Sequence, residues 1–215
     1  TSCGYESNCK LVYAKISQVS TSRNMTRNIL NLYNLKKACM NSNLNSIIFI
    51  WKIHERNFIV DEIREFLLKE FVSLEDIKSE EIFQFIWQKV RILINDDKKL
   101  KELLIEPSRN SLIKSTMNGN ENSFKFLLQK VYFELFEPKE FIYLTNNLGE
   151  NFFYHLLHYS STLMVKFALN LLKKRLSSEN FQGFLMIRNL KGRNIFHFAS
   201  LNTTNKDLLK FLANF

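Results

Sequence analysis

The sequence predicts an all-α fold, an α-solenoid of stacked helical hairpins, and three observations carry that expectation. Only five Gly and two Pro occur in 215 residues, too few for the many tight turns of an all-β sandwich or barrel. Apolar residues recur at three- and four-residue steps in short segments divided by Asn-rich turns. Twenty Phe supply a core of large rings, and 46% hydrophobic with 24% charged residues is a globular composition, not a disordered one.

Residues 1–25 are expected to form a flexible N-terminal segment, 26–105 a helical region of degenerate repeats or a cap, and 106–215 three repeats. Cys3 and Cys9 could pair, but three Cys is an odd and sparse set, so reduced thiols are the expectation, with Cys39 packed in a helix. The apolar run Ile47-Ile48-Phe49-Ile50-Trp51 is far shorter than the ~18 residues a membrane span requires. Asp61 to Phe71 reads as a helix: acids open it, and Ile63, Phe66, Leu67 and Phe71 form its stripe. Glu81 to Ile94 repeats the pattern with Ile82, Phe85, Ile86, Lys89 and Leu93. After the polar turn Asn95-Asp96-Asp97, Leu100, Leu103 and Leu104 rebuild an apolar face.

Internal similarity is the strongest signal. Asn146-Asn147-Leu148-Gly149-Glu150-Asn151-Phe152-Phe153-Tyr154 matches Asn189-Leu190-Lys191-Gly192-Arg193-Asn194-Ile195-Phe196-His197, 43 residues on. A third copy runs from Asn110 to Asn120, with Asn110 and Leu112 at the places of Asn151 and Phe153, 41 residues earlier. Each copy is followed by an apolar–Lys–Phe triplet: Phe124-Lys125-Phe126, Val165-Lys166-Phe167 and Leu209-Lys210-Phe211. Gly149 and Gly192 stand where a turn needs positive φ. Asn151 and Asn194 stand at helix starts, where a side-chain oxygen can accept from a free backbone amide. Leu112, Phe153 and Phe196 are expected to open the buried face of each first helix.

These residues resemble the ankyrin repeat. Asn194-Ile195-Phe196-His197-Phe198-Ala199 is similar to its Thr-Pro-Leu-His-x-Ala segment, Asn118-Gly119-Asn120 to its inter-helix turn, and Lys125-Phe126-Leu127-Leu128 to the end of its second helix. A more degenerate copy resembles it from Lys37 to Leu44. No copy has the Pro, and the periods exceed the usual ~33 residues. The resemblance implies a non-enzymatic protein-interaction module, an adaptor, inhibitor or effector. It would act within a cell, in the cytoplasm or nucleus, or after delivery into a host cell. It also implies contacts through first helices and turn tips, with Asn147, Leu148, Glu150, Leu190, Lys191 and Arg193 projecting, and a role for His197 in hydrogen bonding between loops.

No catalytic, cofactor or metal residue is expected. His155 and His158 are three apart with no third ligand beside them, and His54-Glu55-Arg56 lacks a zincin or triad context. The Gly residues are isolated, so no phosphate loop exists, and Asp96-Asp97 and Glu80-Glu81 suit turns and helix starts. The formal charge of +9 could serve nucleic acid, an anionic membrane surface or an acidic protein partner, but solubility alone is the favoured meaning. An acidic surface on a protein partner is the expectation if the charge is used in binding. The rival reading is a basic helical nucleic-acid binder using Lys173, Lys174, Arg175, Arg188, Lys191 and Arg193 with Phe181, Phe184 and Phe196, but the cations are dispersed, with no block of five or six.

Overall fold

The computed structural model describes residues 14, 44–64, 77, 79–105, 110–201 and 210–212. It is mostly helical, and among the described residues the extended structure is one isolated bridge, Thr145 with Asn151. No helix among them is long and apolar enough to cross a membrane. Cys3, Cys9, Cys39 and the degenerate copy from Lys37 to Asn43 lie outside the described residues. The chain divides into two compact units, Thr1–Asn95 and Asp96–Phe215.

The first unit contains α1 (Leu44–Asn57) and α2 (Glu80–Leu93), which pack on each other. Glu80 and Glu81 open α2 at the positive end of its dipole. Its buried face is Ile82, Phe83, Ile86, Trp87 and Val90. The expected face, with Phe85, Lys89 and Leu93, was therefore rotated by about one residue. Two bulky apolar groups, Phe83 and Trp87, outweigh Phe85 and turn it to the edge of the interface. Residues 60–64 are helical, bury Ile63, and send the Arg64 Nε to the Leu93 carbonyl at 2.9 Å, satisfying an acceptor that the end of α2 leaves open. The rest of the expected Asp61–Phe71 helix lies outside the described residues.

The second unit begins with α3 (Asp97–Ile105), which the sequence had placed in the N-terminal half. The fully buried Tyr132 hydroxyl donates to the Leu104 carbonyl at 2.9 Å, and Lys101 pairs with Glu140 at 2.7 Å. Both partners lie beyond α3, so its bonds run forward along the chain. Next come α4 (Ser111–Met117) and a longer helix, α5, which is α-helical over Glu121–Phe126, π-helical over Leu127–Tyr132 and α-helical again over Phe133–Leu135. The second helix of this copy therefore runs past Leu128, where it had been expected to end. The remaining elements are a 3-10 helix (Pro138–Tyr143), α6 (Phe152–Tyr159), α7 (Thr162–Arg175), α8 (Ser178–Met186) and α9 (Ile195–Leu201).

This order explains the long period. Each period holds a third helical element after the hairpin, the 3-10 helix in one and α8 in the next. The two third elements pack on each other, as α6 packs on both α4 and α9. Asn110 accepts from the Ile113 amide at 3.1 Å, Asn151 from Phe153 at 3.0 Å and Asn194 from His197 at 3.3 Å, so every copy is capped by its Asn. Leu112 and Phe153 are buried as expected, but in the last copy Ile195 and Ala199 fill the core and Phe196 is only half-buried. Packed rings of Phe124, Phe152, Phe153 and Phe184 join α5, α6 and α8.

The triplets also meet. Lys125 Nζ lies 5.7 Å from the ring centre of Phe167, and Lys166 Nζ lies 5.2 Å from that of Phe211. The cation of one copy thus sits over the ring of the next, an attraction between positive charge and the negative face of the ring. Leu209 lies outside the described residues.

Candidate functional site

Two turns of identical construction form the candidate site. In the first, the Asn146 side-chain oxygen accepts from the amides of Leu148 and Glu150, both at 2.9 Å, and the Asn146 amide donates to the Glu150 carbonyl at 2.8 Å. In the second, Asn189 accepts from Lys191 and Arg193, both at 3.0 Å, and donates to the Arg193 carbonyl at 2.8 Å. Gly149 (φ +73°) and Gly192 (φ +71°) each donate to the carbonyl of the leading Asn. An Asn folding its own following backbone, with Gly taking the left-handed residue, is what this turn chemistry requires.

The turns are stacked. The Leu190 amide donates to the Leu148 carbonyl at 2.9 Å, and the Asn189 side-chain amide donates to Glu150 Oε1 at 3.3 Å. The Tyr154 hydroxyl lies 2.7 Å from the Ile187 carbonyl and 2.6 Å from the Arg193 carbonyl, sharing one proton across the base of the second turn. Burial first, and the nearby Glu150 charge, push the Tyr154 hydroxyl up to about 12, so it remains a donor at neutral pH.

Set against known protein families, characterised proteins and solved structures, the chain matches none.

At the tips, Asn147, Leu148, Leu190, Lys191 and Arg193 are exposed, with Leu148 at 55% and Leu190 at 78%. Glu150 departs from the expected outward position. Its side chain is 14% exposed and engaged by Asn146, Asn189 and His155, because an acceptor is needed between two turns whose own oxygens are already taken. The tip is left with cations and aliphatic groups. Beside it, Arg188 donates to the Gly192 carbonyl at 3.1 Å, and Met186 is 59% exposed.

Among the described residues, the His197 imidazole bonds within its own cap rather than between loops. It is exposed, and its Nδ1 faces its own cap, 3.2 Å from the Asn194 amide and 2.5 Å from the Asn194 side-chain oxygen. Its counterpart one period earlier is Tyr154, and a phenol is long enough to reach the neighbouring turn. The alignment of the two copies already placed Tyr154 at this position, which is the signal that could have identified it.

His155 is 12% exposed, with Nε2 3.3 Å from the Asn146 side-chain amide and 3.7 Å from Glu150. Burial is the main influence holding its imidazole below the ordinary value of 6.5; His158 adds to it and Glu150 opposes it. A histidine held low favours the neutral form in the fold, so its stabilisation is complete above about pH 6.5 and is lost as pH falls below that value. The melting temperature of the wild-type chain is expected to drop between pH 6.5 and 5 more than that of His155→Gln. Parallel pH profiles of the two would show that His155 is not the titrating group.

His158 is exposed, with its ring edge-to-face on Tyr159. Among the described residues, no group of three His, Cys, Asp or Glu could hold a metal ion. Lys173, Lys174 and Arg175 form the last turn of α7, where cations complement the helix dipole, and Arg175 lies over the Phe133 ring at 5.6 Å. Phe181 and Phe184 are buried, and Phe196 is half-buried.

Proposed function

We propose that the second unit is an α-solenoid of divergent ankyrin-like repeats and that the protein is a non-enzymatic interaction module binding an acidic surface of another protein. In this reading it acts within a cell, in the cytoplasm or nucleus, or after delivery into a host cell. The observation that carries the proposal is the pair of stacked turns. They share one hydrogen-bond pattern, hold each other through the Leu190–Leu148 backbone bond, and present Leu148, Leu190, Lys191 and Arg193 to solvent while the one acid among them, Glu150, turns inward. Exposed aliphatic groups beside cations on a hydrogen-bonded base suit an acidic protein surface.

The nucleic-acid reading loses support from the same residues. Stacking platforms need exposed rings, and Phe181 and Phe184 are in the core.

The test is Lys191→Glu combined with Arg193→Glu, compared with wild type in a cross-linked capture from the native source. The double variant is expected to lose the wild-type partner while keeping its melting temperature, because both side chains are exposed. Nucleic-acid binding should be weak at physiological salt. Tight, steeply salt-dependent nucleic-acid binding that vanishes in the double variant would replace the proposal with its rival.

A further inference from the structure

Between α1 and α2, the rings of Trp51 and Phe85 stand at 89° to each other with centres 6.1 Å apart, making two walls of a corner. Lys89 fills the corner. Its ammonium is 5.3 Å from the Trp51 ring, 5.7 Å from the Phe85 ring and 2.7 Å from Glu55 Oε1. The same oxygen accepts from the Trp51 indole N–H at 2.5 Å, which fixes ring and carboxylate relative to each other. Burial disfavours the Glu55 charge, but the bonds from Lys89 and Trp51 outweigh it and hold the carboxyl below its usual range. The side chains of Lys89 and Glu55 are 27% and 46% exposed, so the corner opens to solvent at its charged end. Lys125 and Lys166 differ, each lying over a single ring among the described residues.

Two perpendicular ring faces and a carboxylate suit one kind of cation better than the resident. A primary ammonium is strongly hydrated and donates three hydrogen bonds, and the rings accept none of conventional strength. A quaternary ammonium has no N–H to satisfy, and ring faces with a nearby negative charge are the usual surroundings in which proteins recognise it.

We propose that Trp51, Phe85 and Glu55 form a binding site for a quaternary ammonium group, kept filled by Lys89 in the free protein. The resident lowers the apparent affinity in proportion to the fraction of time it is displaced. The proposal does not depend on the function assigned to the turns.

The experiment follows the Trp51 indole N–H resonance of the full chain during titration with tetramethylammonium. The chain has two Trp, so Trp87→Phe assigns the signal. Lys89→Ala is expected to bind about tenfold more tightly than wild type, the effect of removing a competitor worth one cation–π contact. Adding Glu55→Gln should weaken that binding, and unmethylated lysine should compete poorly. Lys89→Met keeps the packed stem and serves if the alanine variant does not fold. A folded Lys89 variant whose Trp51 signal never moves overturns the proposal, as does equal response to lysine. Choline and a trimethyl-lysine peptide then distinguish a free small cation from a modified protein as the source.

Discussion

Replacing Phe152 by Ala is expected to destabilise the second unit by about 3–5 kcal/mol. The ring is fully buried, with those of Phe124, Phe153 and Phe184 at 5.7, 6.4 and 5.5 Å. These neighbours belong to three elements that cannot all close on the void, so the loss includes the cavity as well as the transfer of the ring. Phe196→Ala is the matched control, because that half-buried ring should cost roughly 1 kcal/mol. Urea unfolding of both variants measures the difference. Equal losses would mean that Phe196 shares the core after all.

The second large effect separates two glycines that look equivalent in sequence. Gly149→Val is expected to cost about 3 kcal/mol and Gly192→Val about 1–2 kcal/mol, since both hold positive φ but only one is crowded. A Cβ on Gly149 would come within 3.3 Å of the Asn189 Cα and 3.4 Å of the Leu190 amide nitrogen, whereas one on Gly192 meets nothing within 4 Å. The obstacle at Gly149 is backbone, which cannot rotate aside, and moving it breaks the Leu190–Leu148 bond. Denaturation midpoints of the two variants, measured together, test this. Indistinguishable midpoints would mean that the turns do not stack closely.

Local chemistry was legible in the sequence because it depends on residues a few places apart. The caps at Asn151 and Asn194 and the left-handed Gly149 and Gly192 fell at their expected positions. What escaped was set over longer distances. The third element of each period is hidden from internal similarity, because Pro138–Tyr143 is a short 3-10 helix and Ser178–Met186 a longer α-helix, although Ser177 marks a helix start by accepting from the Asn180 amide at 3.2 Å. The π turn at Leu127–Tyr132 leaves the apolar spacing of an α-helix intact, so periodicity could not reveal it. At the site, exposure of Asn147, Leu148, Leu190, Lys191 and Arg193 followed from their turn position. The inward Glu150 and the bridging Tyr154 depended on the presence of the next turn, which spacing within one copy does not contain.

The Lys125–Phe167 and Lys166–Phe211 contacts have a consequence for how the second unit opens. Each link joins one copy to the next, so α7 is held by cations and rings on both sides, its own Phe167 below Lys125 and its own Lys166 above Phe211. Helix α6 is likewise flanked by α4 and α9. The middle of the unit therefore cannot exchange its amide protons without releasing neighbours on both sides. An alanine at Lys125 or at Lys166 is expected to speed amide exchange in α7, each by cutting one of its two links.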